Sequence, residues 1–132
     1  MFTVDEHTAD VRVTLDSASP EELFSDALAS LMFVLGASTS GGEEAERRIE
    51  VESSNRTNLL IDFLNEVLGL AFVHGEMYHG MRLESLTEQL LVGTLFATEA
   101  TLADEVKAVT YHEAEVKQQP DGRWSTTLVF DL

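Results

Sequence analysis

The sequence predicts an α+β domain in which two helices pack on one face of a mostly antiparallel β-sheet. Three observations predict it. Apolar residues alternate with polar ones at the start of the chain, they recur at helical spacing in two later stretches, and short alternating runs separated by turn residues fill the chain from Met77 onward. With 132 residues, the chain has the length of one domain, 1–132, able to bury a continuous core without disulfide or metal staples.

Taken in order, Phe2 and Val4, then Val11, Val13 and Leu15, have the period of half-buried strands, and His7-Thr8-Ala9-Asp10 interrupts them as a loop or bulge. Ser19-Pro20-Glu21-Glu22 carries the start signals of a helix: Ser19 as N-cap, Pro20 in the first turn and Glu22 as the capping-box acid. Leu23, Phe24, Ala27, Leu28, Leu31 and Leu35 form its buried stripe, and Gly36 ends it. The stretch 38–46, with Gly41-Gly42 at its middle, reads as a flexible connector, after which Ile49 and Val51 mark another strand. Ser54 or Asn55 caps a second helix whose apolar face is Leu60, Phe63, Leu64, Val67, Leu70 and Ala71. Strands are then expected over Met81 to Leu86, Leu90 to Glu99, Val106 to Gln118 and Arg123 to Phe130, the last two joined by a hairpin at Pro120-Asp121-Gly122. His74 and His79, each beside a glycine, are expected in a solvent-facing turn.

Charge and composition narrow the function. The formal net charge is −16, so the surface offers few cations to a phosphate backbone, and direct nucleic-acid binding is not expected. A basic protein partner is favoured instead by long-range attraction. The absence of cysteine excludes disulfides, thiolate metal sites and cysteine nucleophiles. No apolar run approaches the length of a membrane span and no basic, apolar leader opens the sequence, so no membrane association and a cytoplasmic location are expected.

The residues that stand out lie at the two ends. Pairing the last two strands across their hairpin brings Asp131 and the carboxylate of Leu132 beside Thr110, Tyr111 and His112, with Lys107 close by, and Asp10 joins them if the first strands are neighbours. Clustered carboxylates repel one another unless a proton or cation intervenes. Oxygen donors without thiolates suit a hard divalent ion such as calcium, magnesium or manganese. His7, three residues before Asp10, has no diagnostic ligand spacing, and taken alone it reads as a hydrogen-bonded loop histidine. On the second helix Asp62, Asn65 and Glu66 share one patch opposite the leucine stripe, either a solvated face or a contact surface for a partner. Serine is common, yet no Gly-x-Ser-x-Gly elbow accompanies it, and hydrolase chemistry has no support.

Three segments in order, Glu6-His7-Thr8-Ala9-Asp10, Leu60-Ile61-Asp62-Phe63-Leu64-Asn65-Glu66-Val67-Leu68, and Val106-Lys107-Ala108-Val109-Thr110-Tyr111-His112 followed by Val129-Phe130-Asp131-Leu132, resemble the archease family. The likeness runs from near Phe2 to the last residue; Phe63 stands where the family often has tryptophan and Glu6 where aspartate is common. The resemblance implies a non-enzymatic accessory protein that activates an RtcB-type RNA ligase in tRNA splicing and RNA repair, promoting guanylylation of the ligase and its multiple turnover. It also implies a bound metal, calcium in the family, held by Asp10, Asp131 and Leu132, with His7, Lys107 and His112 supporting or orienting the site. Two other readings of the same residues are a chaperone-like protein-binding module and a stand-alone metal-dependent phosphoesterase. The latter requires an open coordination position and a general base, for which His112 and His7 are the candidates.

Overall fold

The structure is a computed structural model that describes residues 1–6 and 10–132. Its elements in chain order are β1 (Phe2–Glu6), β2 (Asp10–Ser17), α1 (Pro20–Val34), β3 (Ala37–Glu52), α2 (Arg56–His74), β4 (Glu76–Leu86), β5 (Leu90–Leu102), β6 (Ala108–Thr110), β7 (Lys117–Gln118) and β8 (Trp124–Asp131). The α+β class with two helices and antiparallel strand pairs is as the sequence predicts. The strands divide between two sheets, where one was expected: β1-β2-β8-β6, with β7 also on β8, and β3-β5-β4.

Both helix starts follow from local chemistry. Ser19 Oγ accepts a hydrogen bond from the Glu22 amide at 3.1 Å, satisfying a donor that the first turn of α1 leaves open, and Glu22 Oε2 accepts from the amide of Ala18, just before the cap, at 2.9 Å. Asn55 does the same for α2, its Oδ1 accepting from Asn58 N at 2.8 Å, and Gly75 closes that helix in the left-handed conformation at φ 64°. α1 touches β2 of one sheet and β4 of the other, and α2 touches β6 of one and β3, β4 and β5 of the other. Their apolar stripes and the inner faces of both sheets merge in one core, with Phe24, Phe63, Phe130 and Leu15 among its fully buried side chains. No helix among the described residues is long and apolar enough to cross a membrane.

Three further sequence expectations are corrected. The connector over 38–46 is part of β3, which pairs with β5 from Ala37↔Leu102 to Glu52↔Leu90. Its glycines sit where the register shifts between Thr39 and Glu44, Gly41 at φ 77°, so they mark a bulge inside a strand and not the end of one. The single strand expected over Val106 to Gln118 is broken: after Thr110 the chain leaves β8, passes through Glu113 at φ 62°, and returns as β7. The expected turn at His74 and His79 is likewise absent, His74 ending α2 and His79 lying in β4, both side chains exposed.

Candidate metal site at the meeting of the two chain ends

β2 is the element that creates the site, because it pairs with β8 from Ser17↔Trp124 to Asp10↔Asp131. Residues directly opposite in an antiparallel pair point to the same face with Cβ atoms roughly 4.5–5.5 Å apart, so the two aspartates stand side by side at the end of the sheet. β6 flanks β8 on its other edge and places Ala108 opposite Asp131, while Lys107 N donates to the Asp131 carbonyl at 2.8 Å. Leu132 follows directly and lines a groove with Val4, Val11 and Phe33.

Asp10 Oδ1 is buried and, among the described residues, has no hydrogen-bond partner. A buried carboxylate oxygen without a partner is costly, and like charges directly opposite on one sheet face destabilise it further. A divalent cation between Asp10 and Asp131 would relieve both costs. The donor set fits such an ion: two carboxylates beside Leu132 supply oxygens alone, the chemistry of calcium, magnesium or manganese. Among the described residues no three Asp, Glu or His side chains converge, so the two aspartates stand with Leu132 as the candidate set. His7 lies outside the described residues.

The register differs from the one expected. Asp131 faces Ala108, and Thr110 faces Val129, so the end of β8 lies beside Lys107 and Ala108 instead of Thr110 to His112. The registers of β6 and β7 on β8 differ by three residues, which the detour at 111–116 takes up. His112 therefore lies farther along the chain from the aspartates; its side chain is 70% exposed, with Nε2 3.7 Å from Glu113.

The patch on α2 divides by role. Asn65 turns inward, its Nδ2 donating to Val109 O at 2.8 Å and its Oδ1 accepting from Val109 N at 2.9 Å. One side-chain amide thus fills the hydrogen bonds that a neighbouring strand would give to β6, and it fixes the strand that flanks Asp131. Asp62 accepts from Ser53 Oγ at 2.8 Å and from the Tyr111 hydroxyl, holding the start of the detour. That hydrogen bond raises the Tyr111 pKa above its ordinary value, with partial burial adding to it. Glu66 remains exposed.

Arg12 did not stand out in the sequence. It sits on the polar side of the Val11, Val13, Leu15 alternation, two residues along the strand from Asp10, and its Nη1 pairs with Glu113 at 2.9 Å. This ion pair fastens the middle of the detour over β2, and Arg12 Nε and Thr110 Oγ1 are also buried without partners among the described residues. The available signal was positional: Arg12 shares the strand face of Asp10, where an uncharged residue would suffice for folding.

The chain is similar to known proteins along its whole length. The family model described as Archease protein family (MTH1598/TM1083) matches residues 2–132. A protein archease of Pyrococcus abyssi is 31% identical over 136 aligned positions, covering 96% of this chain and 95% of that one. A protein archease of Thermococcus kodakarensis is 32% identical with the same coverage. Among solved structures, protein 1598 of Methanobacterium thermoautotrophicum superposes with a TM-score of 0.73 at 29% identity, over 99% of this chain and 98% of that one. An archease of Thermotoga maritima described as a possible chaperone superposes with a TM-score of 0.67 at 26% identity, over 100% of this chain and 98% of that one.

Proposed function

The chain belongs to the archease family, and on that premise we propose that it is a non-enzymatic accessory protein that activates an RtcB-type RNA ligase, promoting its guanylylation and multiple turnover. The nucleotide chemistry belongs to the partner; this chain contributes a cation-organised tip. The observation that carries the reading is the direct opposition of Asp10 and Asp131, with a buried Asp10 oxygen that lacks a partner among the described residues. Asp10, Asp131 and Leu132 would hold the ion, calcium by family likeness, and the ion would neutralise the opposed carboxylates and order the tip. Asn65 and Lys107 position β6 and β8 around it through backbone contacts at Val109 and Asp131.

Guanylylation and multiple-turnover ligation by the cognate ligase test the reading, with wild type and Asp10→Ala compared. The wild-type chain is expected to accelerate both, and the variant to lose about tenfold or more of that effect. Undiminished activation by Asp10→Ala removes the metal tip from the mechanism, and no activation by the wild-type chain removes the ligase.

A general protein-binding module is a second reading, favoured by the description of the Thermotoga maritima relative as a possible chaperone. Retention of partners at moderate and high salt separates the two: one RNA ligase held selectively supports activation, and a broad set of basic proteins released together supports the module.

A further inference from the structure

A groove runs across the same end of the molecule as the paired aspartates, on either side of the turn between β5 and β6. It consists of two adjoining hollows that share Asp104 and Glu105. Val4, Phe33 and Leu132 line one side, and Phe72, Leu102 and Val106 the other. Phe33 is 62% exposed, Phe72 47% and neighbouring Val73 78%, although each lies in the last turns of a helix whose apolar stripe is buried. Large apolar side chains gathered at one end and rimmed by charge mark an interaction surface.

The electrostatics of this end oppose folding. The turn is fastened to the end of α1, with Asp104 N donating to Leu35 O at 3.0 Å and Ala103 N to Gly36 O at 3.4 Å. The Asp104 carboxylate is thereby held beside Gly36 at the negative pole of α1, where cations are the stabilising choice. The last turn of α1 contains no basic residue, and that of α2 contains only His74. Lys107, at the rim beside Asp131, is the cation lining the groove. Stability does not explain this arrangement, and a cationic partner does. A second copy of the chain does not fit, because it brings a formal charge of −16 to the same place.

We propose that this groove docks a protein segment in which apolar side chains alternate with Arg or Lys, Phe33 and Phe72 receiving the apolar groups and Asp104 and Glu105 the cations. The proposal rests on the accessory-protein reading and deepens it by giving the kind of surface the partner presents.

Two arms test it. In the first, the isotope-labelled chain is titrated with a short synthetic peptide alternating Arg and Leu, and with its Glu-for-Arg counterpart, while amide shifts are followed by NMR. Shifts confined to the groove lining, Val4, Val11, residues 33–34, 72–73 and 102–107 and Leu132, with the Arg peptide alone, support the groove. Shifts elsewhere, none, or equal shifts with both peptides overturn it. In the second arm, affinity for the cognate ligase is measured for wild type, Phe33→Ser/Phe72→Ser, Asp104→Asn/Glu105→Gln, and the distant surface variant Glu84→Gln. The first two variants are expected to weaken binding about tenfold or more, the charge variant with a reduced dependence on salt, and Glu84→Gln to leave it unchanged. Unchanged binding by both groove variants overturns the proposal. If wild type fails to bind the ligase while the first arm succeeds, the ligase reading falls and the groove stands. Sedimentation as a dimer that Phe72→Ser abolishes would assign the groove to self-association and overturn the proposal.

Discussion

At the scale of single residues, Glu76 shows how partners hold a buried charge. Glu76 is buried at the start of β4, and Arg47 of β3 reaches it with Nε at 3.1 and 3.2 Å from its two carboxylate oxygens. The Tyr78 hydroxyl donates to the same carboxylate at 3.0 Å. The hydrogen bonds from Arg47 hold the Glu76 carboxyl below its ordinary pKa of 4.5, against burial, which pushes the other way, and Tyr78 assists Arg47. Burial, reinforced by Glu76, pushes the Tyr78 phenol well above its usual range. Because the folded-state value of Glu76 is lowered, its contribution to stability is complete above 4.5 and is lost as pH falls through the lowered value. Denaturant unfolding of Glu76→Gln between about pH 5 and about pH 3 is therefore expected to show a shallower loss of stability than wild type; an identical acid limb would contradict this. Asn65 is the second residue whose chemistry is local and specific. Asn65→Ala leaves Val109 N–H and C=O without their partner and is expected to cost roughly 1–3 kcal/mol. Cation affinity should fall with it, since β6 flanks Asp131; calorimetric titration alongside thermal unfolding measures both, and unchanged values in both would contradict the role given to Asn65.

At the scale of elements, the central strand β5 shows how tightly sequence and pairing are matched. A Cβ on Gly93 would lie 2.7 Å from the Arg82 carbonyl oxygen and 3.4 Å from Leu83 Cα, both backbone atoms of β4. Gly93→Ala is expected to open the β4·β5 ladder locally and to cost about 1–3 kcal/mol in denaturant unfolding, whereas a change within a few tenths would contradict the close approach. Elements with local signals were legible in the sequence. The Ser19 cap, the leucine stripes of α1 and α2, and the turn Pro120-Asp121-Gly122 each depend on residues a few positions apart, and each lies where expected. The juxtaposition of Asp10 with Asp131 was legible as well, given only that the first strands neighbour the last one. What was not legible depends on distant partners. The detour at 111–116 is set by Asp62, 49 residues away from Tyr111, and by Arg12 on β2, across β8 from β6. The first half of β3 is polar and glycine-bearing, so its strand character comes from the hydrogen bonds of β5 and not from its own alternation. Division of the strands into two sheets likewise follows from helices that touch both, a tertiary choice that periodicity along one strand does not encode.

At the scale of the whole molecule, a formal charge of −16 acts on a fold whose beginning and end are brought to one point. Diffuse repulsion of this size is relieved by any salt, because the screening length falls to about 10 Å at 0.1 M ionic strength. Relief at the opposed aspartates requires an ion at that place. The distinction makes the central claim measurable: an ion bound by the folded state alone stabilises it by RT ln(1 + [ion]/Kd), beyond any screening. The decisive experiment is thermal unfolding in increasing calcium at constant ionic strength, for wild type, Asp10→Asn and Asp131→Asn. The account predicts a midpoint that rises with calcium for wild type and stays flat for both variants. Equal rises in all three proteins would contradict it, because the calcium would then be acting on the general negative surface and not where the two chain ends meet.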